Sequence, residues 1–272
     1  MDNMSEIEKL KNYAKSLRIS VIKSLSAAGS GHLGGSLGLA DIFSVLYFRV
    51  LKHRPQEPNW SGRDRLYLSI GHVAPVLYAA LAEAGYFDKE ELLTLRKLGS
   101  RLQGHPGKDH GLPGIELSAG SLGQGLGVAV GAAIGLKLQK NDARVFAVLG
   151  DGELQEGSVW EAAMSAAHHK LNNLIAIVDR NGLQIDGETE NVMALEPLKM
   201  KWEAHNWNVI ETNGNDIAAL INAFDSLDTN KPNVIIAKTI MGKGVAEIEN
   251  DYKWHGKVPS KDEAEKFIAG LS

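Results

Sequence analysis

Apolar positions recur at helical spacing near the start of the chain, where Leu10, Ala14, Leu17, Val21 and Ala28 fall along one helical stripe. Ser5 is followed three residues later by Glu8, the S-x-x-E pattern in which a hydroxyl and a carboxylate satisfy the free N–H groups of a first turn. Together they predict an amphipathic helix ending near Gly29. The next stretch, SGHLGGSLG at 30–38, breaks the pattern. So much glycine argues against helix or strand and predicts a loop whose backbone can approach a ligand closely. A second helix is expected over about 39–51.

Five short runs then lose the helical period: RLYLSI (65–70), RVFAVLG (144–150), NLIAIVD (173–179), WNVIET (207–212) and NVIIAKT (233–239). Continuous apolar runs of this length suit strands covered on both faces, as in a parallel sheet sandwiched between helices. Helices are expected between them at 75–84, 122–138, 158–168 and 216–227. With no internal repeat, low-complexity tract or linker, residues 1–272 read as a single α/β domain.

Composition narrows the classes of function. The chain has 272 residues, 44% of them hydrophobic and 23% charged, which suffices for a sizeable core and excludes a disordered or collagen-like chain. A net charge of −4 argues against a nucleic-acid binder, which needs clustered Lys and Arg. The absence of cysteine removes disulfides, thiolate nucleophiles and cysteine-ligated metals. The polar start, MDNMSEIEKLKNYAK, has no signal-peptide core. The most apolar run, LGVAVGAAIGL at 126–136, falls far short of the roughly 20 residues of a membrane span. These features predict a soluble, cytoplasmic protein with no membrane or nucleic-acid partner.

The candidate chemistry sits where two runs end. One closes on Gly150-Asp151-Gly152, the next on Asp179-Arg180-Asn181-Gly182, and Asp151 and Asn181 stand 30 residues apart. That is about the size of one β-α-β unit. Neighbouring parallel strands would therefore present a carboxylate and an amide oxygen side by side, at the sheet end where ligands collect. Hard divalent cations take oxygen donors of this kind and bind phosphates as well. Taken singly, an Asp between glycines is more often a turn former; the pairing with Asn181 favours the ligand role. GSLGQG does not fit G-x-G-x-x-G, and Gly242-Lys243-Gly244 is not a phosphate loop. Among the nine histidines, His168 and His169 read as structural, and His53, His110 and His205 as loop or helix-end residues. His32, His72, His105 and His255 each adjoin a glycine, and together they suggest a cluster around a polar or anionic ligand.

Gly-Asp-Gly, about thirty residues and then Asn resembles the metal–diphosphate motif of thiamine-diphosphate enzymes, and GDGELQEGSVWEA (150–162) resembles its transketolase form. SGHLGGSLG (30–38), SIGHVAPVLYAALAEAGYF (69–87), QGHPGK (103–108), AGSLGQGLG (119–127) and GKGVAEIENDYKWHGK (242–257) resemble the same family in the same order and cover nearly the whole chain. The resemblance implies a thiamine-diphosphate-binding fold, specifically its diphosphate-binding domain. It implies Asp151, Asn181 and the Leu183 carbonyl as ligands of Mg²⁺ or Ca²⁺, with the Gly152 N–H on the diphosphate. His72 and His255 would face the diphosphate or the substrate beside it. Gly120 and Leu122 would touch the aminopyrimidine, and Leu122 and Ile185 the thiazolium. His32, His105 and His255 would face the sugar hydroxyls and the reacting carbonyl. Departures from the family pattern at Ile70 and before Gly104 bear on substrate contacts only.

In the family, the glutamate that activates the cofactor comes from a pyrimidine-binding domain, and Glu156 matches the residue that hydrogen-bonds to it. The matched blocks end just before Ser272, so the pyrimidine and C-terminal domains are expected on a separate chain. The resemblance thus implies the N-terminal subunit of a split transketolase, with an α2β2 heterotetramer as its assembly. The subunit would act on sugar phosphates and transfer a two-carbon ketol unit. Two alternatives stand beside it: a subunit of a deoxyxylulose-phosphate-synthase-like or dehydrogenase-E1-like enzyme, and a non-catalytic cofactor-binding partner.

Overall fold

In a computed structural model the chain is described over residues 5–271; the first four residues of the polar start and Ser272 lie outside them. Helix α1 (Glu6–Ala28) starts where the Ser5 hydroxyl accepts from the Glu8 N–H and stops at Gly29, whose left-handed backbone closes the last turn. Glu8 does not complete the capping box but pairs with Lys11. The segment expected as a loop is in part a helix, α2 (Gly34–Gly38), buried throughout. Glycine disfavours a helix by about 1 kcal/mol per residue, but packing decides here. A Cβ on Gly38 would stand 2.9 Å from the Ile240 carbonyl oxygen, so only a bare backbone can lie this close. Helix α3 (Ala40–Val45) follows and runs into a wider π turn at Leu46–Val50, filling the second expected helix.

All five expected strands form. β1 (Arg65–Leu68) leads to α4 (Ala74–Glu83), and after a long loop α5 (Gly125–Leu138) begins three residues later than expected. β2 (Val145–Gly150), α6 (Gly157–His168) and β3 (Leu174–Arg180) complete the first half. Next comes a small hairpin, β4 (Leu183–Gln184) with β5 (Gly187–Glu188), then the short helices α7 (Thr189–Val192) and α8 (Leu198–Ala204). β6 (Asn208–Asn213), α9 (Ile217–Asp225), β7 (Asn233–Lys238) and α10 (Lys261–Leu271) close the chain. The hairpin, α7, α8 and α10 were not expected from the apolar pattern.

The main sheet runs β1-β2-β3-β7-β6, and every pairing in it is parallel. Alternate residues feed two cores. Phe146, Val148, Ile175, Ile177 and Ile235 pack toward α1, α3, α4 and α9. Val145, Ala147, Leu149, Ala176 and Val178 pack toward α5, α6 and α8. This double covering explains why the strands read as unbroken apolar runs. Among the described residues, no helix is long and apolar enough to cross a membrane. α5 nevertheless leaves Val128 and Leu138 exposed, and its neighbour α6 leaves Met164 exposed.

Candidate cofactor site

The carboxyl ends of β1, β2, β3 and β7 open onto a cavity of about 320 Å³. Gly150 of β2 lies opposite Asp179 of β3, so Asp151, one residue on, and Asn181, two residues on, both emerge at this end of the sheet and line the cavity. Of the twelve candidate residues, nine line this cavity: His72, Leu122, Asp151, Gly152, Glu156, Asn181, Leu183, Ile185 and His255. The other three stand beside it. His32 lies 5.1 Å ring to ring from His72, 5.7 Å from His255 and 6.3 Å from His105. His72 and His255 are 5.0 Å apart. A Cβ on Gly120 would lie 3.7 Å from the His105 ring. Four histidines from four distant segments therefore form one cluster.

Each is fixed by its own local turn. His32 precedes α2, whose Ser36 hydroxyl donates to the His32 carbonyl at 2.9 Å. His72 lies in the 3₁₀ turn Gly71–Val73 that opens α4. The His105 loop is tied down by Tyr78, donating to the Gln103 carbonyl at 3.0 Å, and by the Ala119 N–H on the Pro106 carbonyl at 3.0 Å. His255 closes the turn Tyr252–Trp254, which Asp251 caps. Burial disfavours the charged imidazoles and their mutual repulsion adds to this, holding His72 down to about 3 and His32 to about 4. Burial lowers His105 and His255 as well. At neutral pH the cluster is a set of uncharged rings. The Nδ1 atoms of His32 and His255 are buried with no hydrogen-bond partner in the protein.

Asp151 is 2% exposed. Its carboxylate accepts from the N–H groups of Gly152 (2.8 Å) and Gly182 (2.6 Å) and from Arg180 (3.2 Å). Burial outweighs these donors and leaves its carboxyl above the usual range. Asn181 donates to Asp179 at 3.0 Å and accepts from the Leu183 N–H at 2.9 Å, which orients its amide. One carboxylate, one carboxamide and the Leu183 backbone form an all-oxygen donor set. It suits a hard cation that keeps further positions for phosphate oxygens. Neutral imidazoles with unused nitrogens suit a polar, anionic ligand above it. The residues present fit a divalent cation and a diphosphate.

Four residues of the site were missed. Glu153, 1% exposed, joins three segments: it accepts from the Ser69 hydroxyl, from Gly123 N–H at 2.8 Å and from Gly150 N–H at 3.2 Å. The loop can come this near only because residue 123 is glycine at φ +83°; a Cβ there would meet Glu156 Cβ at 2.7 Å. Asp179 holds Asn181 and accepts from the Thr239 hydroxyl, and burial pushes its carboxyl up to about 7. Arg180 binds Asp151, and Arg96 lies against Gly104 near the histidines, its charge helping to lower His32 and His105. Asp179 and Arg180 immediately precede Asn181, and Glu153 lies two residues past Asp151. Their place in the motifs was the available signal. His53, read as a loop or helix-end residue, lies in a loop but is half-buried: it bonds to the Tyr47 carbonyl at 2.7 Å and stacks on Tyr86.

The family described as transketolase, thiamine diphosphate binding domain, matches residues 9–269. The chain belongs to that family. Among transketolase relatives, an apulose-4-phosphate transketolase subunit from Actinobacillus succinogenes is 45% identical over 267 residues, covering 97% of this chain and 96% of the relative. A 6-deoxy-6-sulfo-D-fructose transketolase subunit from Clostridium sp. (strain MSTE9) is 40% identical over 264 residues, 96% of each chain. The crystal structure of Campylobacter jejuni transketolase superposes with a TM-score of 0.91 at 37% identity, covering 97% of this chain but 43% of that one. The chain thus spans nearly all of the subunit relatives and about two-fifths of the longer transketolase. The parallel α/β architecture is the transketolase one, as the sequence resemblance implied.

Proposed function

We propose that this chain is the diphosphate-binding subunit of a two-chain transketolase, a single domain over residues 1–272. With its partner it would transfer a two-carbon ketol unit from a ketose or ketose phosphate to an aldose or aldose phosphate. The observation that carries this reading is the delivery of Asp151 and Asn181 by adjacent strands into one cavity beside His32, His72, His105 and His255.

In this reading Asp151, Asn181 and the Leu183 carbonyl hold Mg²⁺ or Ca²⁺, and Gly152 and His72 face the diphosphate. Gly120 and Leu122 lie against the aminopyrimidine, and Leu122 and Ile185 support the thiazolium. Thiamine diphosphate, when bound, supplies the carbanion-stabilising centre that a two-carbon transfer requires. The chain's own residues anchor and orient. The cation site fixes one end of the ligand, and the loop held by Glu153 sets the height of Leu122. His32, His105 and His255, kept neutral by burial, offer hydrogen bonds to sugar hydroxyls and the reacting carbonyl without adding charge. Glu156, on the cavity wall, would bond to the activating glutamate of a second chain.

Two findings support a separate partner. The relatives that this chain spans over 96% of their length are named as subunits. The exposed Val128, Leu138 and Met164 give α5 and α6 an apolar face suited to another chain in an α2β2 assembly. The test is to assay ketol transfer by the purified chain, alone and mixed with the product of the adjacent reading frame. The expected result is no turnover alone and turnover dependent on divalent cation and thiamine diphosphate in the mixture. Full activity from this chain by itself would overturn the two-chain reading.

A further inference from the structure

Arg180 sits between Asp179 and Asn181 at the end of β3, and one planar guanidinium joins four acceptors there. Its Nη1 donates to Asp151 Oδ2 at 3.2 Å and to Thr189 Oγ1 at 2.7 Å; its Nη2 donates to Glu190 at 2.8 Å and Glu196 at 3.0 Å. The two glutamates are themselves tied to the chain that follows. Glu190 accepts from the Leu195 N–H at 3.1 Å, and Glu196 from the Leu198 N–H at 2.8 Å. Thr189, fully buried, donates its own N–H to the Gly182 carbonyl at 2.9 Å. The excursion 182–197, which carries Leu183 and Ile185, is therefore pinned to one side chain at its middle, through Thr189 and Glu190, and at its far end, through Glu196, while Asp151 itself holds the Gly182 N–H at the near end. That side chain reaches back to the buried carboxylate of Asp151.

Exposed ion pairs taken singly contribute little to stability. This one differs because the Arg180 side chain is 14% exposed and its fork joins the buried Asp151 to three acceptors of the loop. A lysine could not replace it, since a single ammonium lacks the planar fork that serves separated acceptors.

The geometry points to Arg180 as a built-in counter-cation: before any metal arrives, it holds loop 182–197 in its ligating form against Asp151. The ordering of some fifteen residues is thereby completed in folding and is not subtracted from cation and cofactor binding. This inference rests on the proposed reading of Asp151 and Asn181 as cation ligands. It assigns a positioning role to a residue that touches neither substrate nor cofactor.

The test is Arg180→Met in the full chain, followed by hydrogen exchange without metal and then by cation titration of the mixed two-chain enzyme with thiamine diphosphate. Without metal, amides of 182–197 should exchange at least tenfold faster than in the wild type, while those of β2 and β3 keep their protection. The cation concentration for half-maximal cofactor binding should rise roughly 10–100-fold, the usual consequence of losing a residue that orients a metal ligand. Arg180→Lys should recover only part of this. A Glu190→Gln, Glu196→Gln double variant, which keeps the Asp151 contact, should loosen the loop as Arg180→Met does. It therefore decides the matter if Arg180→Met also loosens the sheet. Unchanged exchange in the loop would overturn the inference, and so would a lower cation requirement, which would mean that the guanidinium only repels the metal. Asp151→Ala separates the two levels. If it leaves cation dependence intact, the underlying reading fails; if it abolishes that dependence while Arg180→Met does nothing, only the role of Arg180 fails.

Discussion

Replacing Asp151 by Asn separates cation binding from folding. The carboxylate is 2% exposed and accepts three hydrogen bonds, from Gly152, Gly182 and Arg180. Hydrogen bonds to a charged group contribute about 1.5–3 kcal/mol each, yet burial outweighs them and keeps this acid above its ordinary range. The sign follows from linkage. An acid raised in the folded state loses its proton later than in the unfolded chain, so near neutral pH the ionised carboxylate subtracts from stability. Asparagine keeps the shape and one oxygen for the Gly152 N–H. It turns its amide nitrogen toward the Gly182 N–H and Arg180, a donor mismatch of about 1–3 kcal/mol, offset by the relieved burial of charge. The metal-free variant should therefore lie within about 1.5 kcal/mol of wild type. For a chain of this size that is a shift of less than about 6 °C.

The same substitution should abolish ligand stabilisation. Magnesium and thiamine diphosphate at about a hundred times their dissociation constant stabilise a single site by about 2.7 kcal/mol, or roughly 5–11 °C. The wild-type chain in the two-chain mixture should show that rise in its unfolding midpoint, and the Asn variant should show none. Differential scanning fluorimetry of both, with and without cation and cofactor, reads the difference. An equal rise in the variant would refute the ligand assignment. A metal-free loss beyond about 3 kcal/mol would show that the carboxylate is needed for folding itself.

The histidine cluster gives a pH dependence. The folded-state values of His72 and His32, about 3 and about 4, lie below their unfolded value of 6.5, so the unfolded chain takes up protons first. The histidines' contribution to stability should be full above pH 6.5 and fall toward pH 3–4, opposed in sign by the raised carboxyls of Asp151 and Asp179, and His72→Gln should remove its share of that fall in a pH series of thermal midpoints. An unchanged profile would mean that other groups set the acid limb. Glu153→Ala strands the Gly123 and Gly150 N–H groups, at about 1–3 kcal/mol per buried donor. It should lower the unfolding midpoint and weaken cofactor binding by releasing the Leu122 loop, with Glu153→Gln intermediate in both. Calorimetry and a cofactor titration measure the two effects.

The elements that could be read from the sequence share a physical reason. Strands β2, β3 and β7 are covered by helices on both faces, so nearly every position is apolar and the run itself marks the element. The overlooked helices lack that contrast. α8 has only Leu198 and Trp202 buried among seven residues, three of them charged. α10 did carry a signal: Ser260 and Glu263 form the reciprocal capping box that Ser5 and Glu8 only half complete. The Ser260 N–H donates to Glu263 at 2.8 Å, and the Glu263 N–H donates to Ser260 Oγ at 3.2 Å. At the site, the spacing of Asp151 and Asn181 was readable because parallel register places adjacent strand ends together. The residues that orient them stood in the same motifs, Asp179 and Arg180 next to Asn181, but contacts such as Arg180 on Asp151 join segments about thirty residues apart and leave no periodicity.

The misread segment 30–38 shows where local reasoning reverses. Its glycines oppose a helix in isolation, and the same glycines permit one here. They let α2 lie against the Ile240 carbonyl and Met241, and a Cβ on Gly34 would meet the Met241 side chain at 2.6 Å. The helix therefore does not arise from propensity; it results from the need to bring the chain just after His32 close to the segment leading to His255. Bulkier residues would raise intrinsic helicity and push α2 outward, moving His32 from the 5.7 Å it keeps to His255. The local rule is broken beside the histidine cluster, where a functional fold is expected to favour geometry over propensity.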